Sequence, residues 1–248
     1  MIELVDVYKS FNEMQVLKGI SFKIRAGESF VIIGMSGTGK TVTLKNISGL
    51  EEPDSGEVYV DGVQMNDATI NVKKQLRNKM GMVFQSGALL NWLTVGENVA
   101  LPLLETKKIP ASRIGELVDE NLKLLGLLEA KDKMPNEISG GMKKRVCLAR
   151  VLIREPQIIL YDEPTSGLDP VMSHHINVII KQMQMKFGVT SVIVTHDMNS
   201  AYYLADRIAV LYKGEIIQCG SPDEIKNSNN LIVQQFINGE IEGPIIVD

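Results

Sequence analysis

The chain has 248 residues, 44% hydrophobic and 23% charged, which is enough apolar material for a sizeable core in one large or two small domains. A net charge of −4 argues against broad binding to a phosphate backbone, which calls for a basic face, so nucleic acid is not an expected partner. The two cysteines, Cys147 and Cys219, lack CxxC spacing and sit in apolar patterns, so both are expected as buried thiols in a reducing compartment.

Residues 1–6 carry no basic segment followed by an apolar one, and no run reaches the ~18 apolar residues that span a bilayer. The expectation is a cytoplasmic chain that meets membranes only through partners. Residues 2–7 and 19–24 alternate as strands exposed on one face, an antiparallel start, with Tyr8-Lys9-Ser10-Phe11 as a polar loop between them. There Phe11 reads either as a strand-end hydrophobe or as a ligand platform. The apolar run 29–33 precedes Gly34-Met35-Ser36-Gly37-Thr38-Gly39-Lys40-Thr41, and a helical pattern follows. This strand, glycine loop and helix fit the G-x-x-x-x-G-K-[ST] phosphate loop, whose inward N–H groups and helix start attract a polyanion. Lys40 adds a full charge for the outer phosphates, and Thr41 offers a hydroxyl to Mg²⁺.

After a turn at 50–56, residues 57–60 form another short strand, and residues 80–84 form a strand ending at Gln85. A polar side chain at the carboxyl end of a central strand faces ligand in an α/β sheet. From 86 to 155 the pattern turns helical; Ile114, Leu117, Val118, Leu122 and Leu125 make a core stripe. The stretch 89–95, which holds the only Trp, Trp92, reads equally as a satellite core or as an apolar surface awaiting a partner.

Ser139-Gly140-Gly141 opens a helix, with Ser139 as N-cap and exposed N–H groups at the glycines that suit an anion. The apolar strand 158–161 ends in Asp162-Glu163, whose side chains diverge if the strand stays extended, so that one can hold a metal and the other address a water. A helix over 171–187 and a buried strand over 191–195 follow, with His196 directly after the strand.

Together the phosphate loop, Ser139-Gly140-Gly141, Asp162-Glu163, Ser166-Gly167-Leu168-Asp169 and His196 resemble the ATP-binding cassette family over residues 1–225. The resemblance implies an α/β fold: a RecA-like P-loop NTPase core with an antiparallel β subdomain (1–85 and 156–225) and an inserted α-helical subdomain (86–155). Residues 226–248 are then a terminal helix and extended tail. It also implies ATP and Mg²⁺ as ligands. Phe11 stacks on adenine with Val16 nearby; Gly34, Ser36, Gly37, Thr38, Gly39, Lys40, Thr41 and Thr43 hold the nucleotide. Thr41, Gln85 and Asp162 form the Mg²⁺ shell, Glu163 activates water, and His196 contacts the γ-phosphate. Ser139, Gly140 and Gly141 face the ATP of a second copy, so the resemblance implies a homodimer that works with integral-membrane permease subunits.

Met142 stands where many importers carry Gln. The Gly-Met-Lys-Lys-Arg run, residues 87–99 and the tail 235–244 are similar to Mla-type, MCE-associated phospholipid-trafficking ATPases. That likeness implies an MCE-type lipid-binding protein, a small accessory protein and a place on the cytoplasmic face of an inner membrane. Another importer, such as one for amino acids, or a regulatory cassette of the division type are the alternatives. In the tail, Leu231, Ile232, Gln235 and Phe236 predict a short helix stopped at Gly239, followed by an extended 244–247 that needs docking, in cis or across the dimer.

Overall fold

The computed structural model describes residues 2–106 and 109–246. Strands β1 (Ile2–Phe11), β2 (Met14–Ile24), β4 (Ser55–Val60) and β5 (Val63–Gln64) form an antiparallel sheet in the order β2-β1-β4-β5. Tyr8 to Phe11 continue β1 rather than forming a loop. The chain turns at Asn12, whose φ of 53° is left-handed, and Phe11 pairs directly with Met14.

The second sheet is built from β3 (Ser29–Ile33), β6 (Met80–Val83), β7 (Ile158–Asp162), β8 (Thr190–Thr195), β9 (Arg207–Tyr212) and β10 (Glu215–Gly220), in the order β10-β9-β3-β8-β7-β6. Every pairing in it is parallel except that of β9 with β10. The strands β3, β7 and β8 are buried along their whole length, with uninterrupted apolar stretches at 30–33, 158–161 and 192–194, because both faces of the sheet are covered. Alternation splits them between two cores. Val31 and Ile33 face helices, while Phe30 and Ile32 face the antiparallel sheet and helix α1 (Lys40–Ser48). β6 is an edge strand, not a central one, and only Val83 in it is fully buried.

Helix α2 (Ile70–Asn78) fully buries only Leu76, with Val72 packed partly buried against the smaller core and Ile70 exposed. Between residues 86 and 155 the described chain holds helices and no strand: α3 (Val95–Thr106), α4 (Ala111–Leu124) and α5 (Gly140–Leu152), with two short 3₁₀ turns. The stripe from Ile114 to Leu125 packs in the larger core. Trp92 is 73% exposed, whereas Leu89 packs against the larger core and Val95 is fully buried within it, so the stretch 89–95 is part core and part surface. Buried Asn98 staples that stretch: its Nδ2 donates to the carbonyls of Leu90, Leu93 and Thr94, and its Oδ1 accepts from Leu90 N at 2.8 Å.

Helices α6 (Pro170–Phe187), α7 (Met198–Leu204), α8 (Pro222–Lys226) and α9 (Leu231–Asn238) complete the fold. No described helix is long and apolar enough to cross a membrane. α9 ends at Gly239, with φ of 68°. The Gln235 side chain then clamps the returning tail, accepting from Ile245 N at 2.6 Å and donating to Ile245 O at 3.0 Å. Ile245 is thereby buried against its own chain while Ile246 is exposed; Val247 lies outside the described residues. Of the two cysteines, Cys147 is buried as expected, but Cys219 is exposed on edge strand β10, where Arg207 Nη2 donates to its sulfur at 3.3 Å.

Candidate active site

The parallel register brings Ile33 beside Thr195, Asp162 beside Val194 and Val83 beside Tyr161. The residues after these strand ends, Gly34, Gln85, Glu163 and His196, therefore emerge at one edge of the sheet, where ligands bind in open α/β folds. Gly34 is required there because a Cβ would sit 2.3 Å from the Leu211 carbonyl oxygen. Gly39, with φ of 106°, leads into α1, which starts with no side-chain cap. Its first-turn N–H groups remain free for an anion.

Lys40, only 7% exposed, folds over this loop: Nζ donates to Gly34 O at 2.8 Å and Met35 O at 2.9 Å, and lies 3.9 Å from Glu163 Oε1. Burial lowers its pKa, while the carboxylates of Glu163 and Asp162 oppose that shift. Asp162 Oδ1 accepts from Thr41 Oγ1 at 2.9 Å, and burial holds its carboxyl above the ordinary range against the help of that bond.

Glu163 separates from Asp162 by a route other than strand alternation. Its φ of 48° takes it out of the extended conformation, a strained geometry that places its carboxylate beside Lys40 and β8. Glu163 Oε2 accepts from Thr195 Oγ1 at 3.2 Å, and Oε1 lies 2.9 Å from His196 Nδ1. Gln85 follows the edge strand β6 and donates from Nε2 to Ser166 Oγ at 3.2 Å.

A cavity of about 560 Å³ joins these groups, lined by Phe11, Val16, Met35, Ser36, Gly37, Gly39, Lys40, Thr41, Val42, Gln85, Glu163 and His196. The volume falls in the range of small-molecule sites, roughly 300–1,000 Å³. Phe11, 41% exposed, sits at its rim with Lys9 Nζ 5.3 Å from the ring centroid. Met35 and Val42 were not singled out by sequence reasoning; their places inside or directly after the glycine loop were the available signal.

Three of the expected ligand residues serve the loop itself instead of lining the cavity. Gly34 provides the close approach to Leu211; Thr38 Oγ1 donates to Met35 O at 2.9 Å; Thr43 is fully buried and its Oγ1 donates to Gly39 O at 3.1 Å. Ser139 caps α5, accepting from Met142 N at 3.3 Å. It, Gly140 and Gly141 lie off the cavity of their own chain. Gly141 is buried rather than exposed: a Cβ there would meet Met172 Cε of α6 at 2.4 Å.

A glycine loop closing on an uncapped helix start, with a buried lysine and two strand-end carboxylates converging on it, defines a phosphate-loop nucleoside triphosphatase. The ABC transporter family profile matches residues 17–166, and the chain belongs to that family. It is an ATP-binding ATPase of the ABC type. The chain is 44% identical over 99% of its length, and 75% of the relative's, to Protein TRIGALACTOSYLDIACYLGLYCEROL 3, chloroplastic, of Arabidopsis thaliana. It is 38% identical, over 98% of its length and 70% of the relative's, to the "Probable ribonucleotide transport ATP-binding protein mkl" of Mycobacterium leprae (strain TN). Among solved structures it is similar to a dimeric post-hydrolysis ATP-binding cassette bound to ADP and Pi. That match has a TM-score of 0.82 at 35% identity and covers 90% of this chain and 99% of the other.

Proposed function

We propose that this chain is the ATP-hydrolysing subunit of an Mla-type complex that moves phospholipid between membranes. In this reading two copies sit on the cytoplasmic face of an inner membrane beneath permease subunits, with an MCE-type lipid-binding protein and a small accessory protein. The observation that carries the lipid assignment is the near full-length likeness to a plant relative named for a galactolipid. The exposed Trp92 on its Asn98-stapled loop supplies an apolar surface suited to a permease.

ATP lies with adenine on Phe11 and Val16, and with its phosphates over the loop and the start of α1. Lys40 trades its carbonyl partners at Gly34 and Met35 for the outer phosphate oxygens. Thr41, Gln85 and Asp162 fit Mg²⁺: the Thr41 hydroxyl and the Asp162 carboxylate already converge as hard oxygen donors, and the raised carboxyl of Asp162 marks a charge that a cation would offset. Mg²⁺ bound there would neutralise charge on the phosphate oxygens. Glu163 accepts a proton from the attacking water, and His196, held at Nδ1 by Glu163, has Nε2 left for the γ-phosphate. Ser139, Gly140 and Gly141 close the ATP site of the second copy, so assembly follows ATP binding and release follows hydrolysis.

The test is to purify the chain with the membrane proteins that accompany it, identify bound lipid by mass spectrometry and measure ATP-dependent phospholipid transfer between vesicles. The proposal expects phospholipid in the complex and transfer that needs ATP. A water-soluble cargo, or transfer indifferent to ATP, contradicts it.

A further inference from the structure

Lys144 is a buried charge that the mechanism above does not use. It sits in the first half of α5, 8% exposed, and its Nζ donates to the main-chain carbonyl of Gln85 at 2.5 Å and reaches that of Glu163 at 3.5 Å. Among the described residues no carboxylate comes within ion-pair distance of it. Burial accordingly lowers its pKa. The same helix face continues the pattern three and six residues on. Cys147 Sγ donates to Gly87 O at 3.0 Å; Arg150 donates to Ala88 O at 2.7 Å and Gly87 O at 2.8 Å. Gly87 and Ala88, with φ of 79° and 46°, turn these carbonyls toward α5.

A buried lysine without an anionic partner is a poor stabiliser, since an apolar side chain of similar length would pack there without the desolvation cost. What an ammonium supplies, and an apolar chain cannot, is several charged donors for carbonyls on two different strand ends. One carbonyl follows β6 and belongs to the residue reaching toward Ser166; the other belongs to Glu163, whose strained backbone sets where its carboxylate points.

We propose that Lys144 is a positioning residue for ATP hydrolysis, holding the backbones of Gln85 and Glu163 in register with the helix that Ser139 opens. This rests on the roles proposed for Gln85 and Glu163. Any shift of α5 then moves both strand-end residues, and loss of the tether lets Glu163 drift from its place while the phosphate loop, which Lys144 does not touch, stays intact. A misplacement of about 1 Å costs on the order of 100-fold in rate.

The experiment compares full-length wild type, Lys144→Met and Lys144→Gln in steady-state ATP hydrolysis and thermal melting. Lys144→Met is expected to lower kcat by about 10- to 100-fold, to leave KM for ATP within about twofold, and to melt no lower than wild type. Lys144→Gln keeps one donor and recovers part of kcat. Wild-type kcat in both variants overturns the proposal, as does a loss that appears in KM with kcat unchanged. Should Lys144→Met fail to melt cooperatively, kcat and KM of Lys144→Gln decide. A wild-type chain that does not hydrolyse ATP contradicts the proposed function instead, so the two failures are distinct.

Discussion

Replacing Glu163 by Gln removes one negative charge from a buried group and keeps its shape. In the fold the Glu163 carboxylate touches three partners: Thr195 Oγ1 at 3.2 Å, His196 Nδ1 at 2.9 Å and Lys40 Nζ at 3.9 Å. A carboxamide can still accept from Thr195, so its orientation survives. Removing the charge also removes a repulsion on Asp162, whose raised pKa owes part of its shift to Glu163, and removes the strongest charge support of the Lys40 ammonium. These effects oppose each other, and the melting temperature should stay close to that of wild type. ATP, itself a polyanion, meets one fewer negative charge and binds at least as well. On the role proposed for Glu163 turnover alone collapses, because the variant has no group to take the proton of the attacking water. A loss of about a thousandfold corresponds to roughly 4 kcal/mol of barrier. Phosphate release and equilibrium binding of a fluorescent ATP analogue, measured on the same preparation, check both halves. Hydrolysis near the wild-type rate would refute the role of Glu163, and a parallel loss of binding would show that the site had deformed.

Phe11→Ala should weaken ATP binding by roughly 1–3 kcal/mol, the range for a base stacked on an aromatic ring, while the unliganded melting temperature barely moves; a large fall in stability with unchanged affinity would return Phe11 to a packing role. Burial lowers the Lys40 pKa from the usual 10.5, so the ammonium that ATP needs is lost earlier than on an ordinary lysine as pH rises. ATP affinity followed by calorimetry should therefore decline on the alkaline side before ordinary lysines deprotonate, and a flat profile there contradicts the assignment. Gln235→Ala removes both bonds to Ile245 and frees the tail, so limited proteolysis should cut within 239–245 faster than in wild type; an unchanged cleavage pattern would mean that the clamp does not hold the tail.

The strands β3, β7 and β8 were legible because burial on both faces leaves an uninterrupted apolar stretch in each, 30–33, 158–161 and 192–194, and the phosphate loop because glycines, lysine and threonine occur at fixed spacing. The end of β1 was not legible: Tyr8 to Phe11 look like a loop by composition, and only pairing with β2 makes them a strand. β9, β10 and α2 went unread; β10 is an edge strand with no fully buried residue, and α2 buries a single side chain. Edge position misled the reading of β6 as well, since its short apolar run resembles a central strand. Gly141 was read for its free N–H, whereas its missing side chain makes room for Met172. Lys144 stands in the basic run Lys143-Lys144-Arg145, in which nothing distinguishes one lysine from the next. Only the fold reveals that it turns inward while its neighbour Lys143 stays exposed.

Ser139 to Gly141 are proposed to serve a nucleotide that their own chain does not hold. Light scattering of the Glu163→Gln chain tests this directly, because blocked turnover should trap the assembled state. A dimer is expected with ATP and a monomer with ADP, and adding Ser139→Arg should abolish the dimer without changing ATP affinity of the monomer. A chain that stays monomeric in ATP, or a dimer indifferent to Ser139→Arg, contradicts that role.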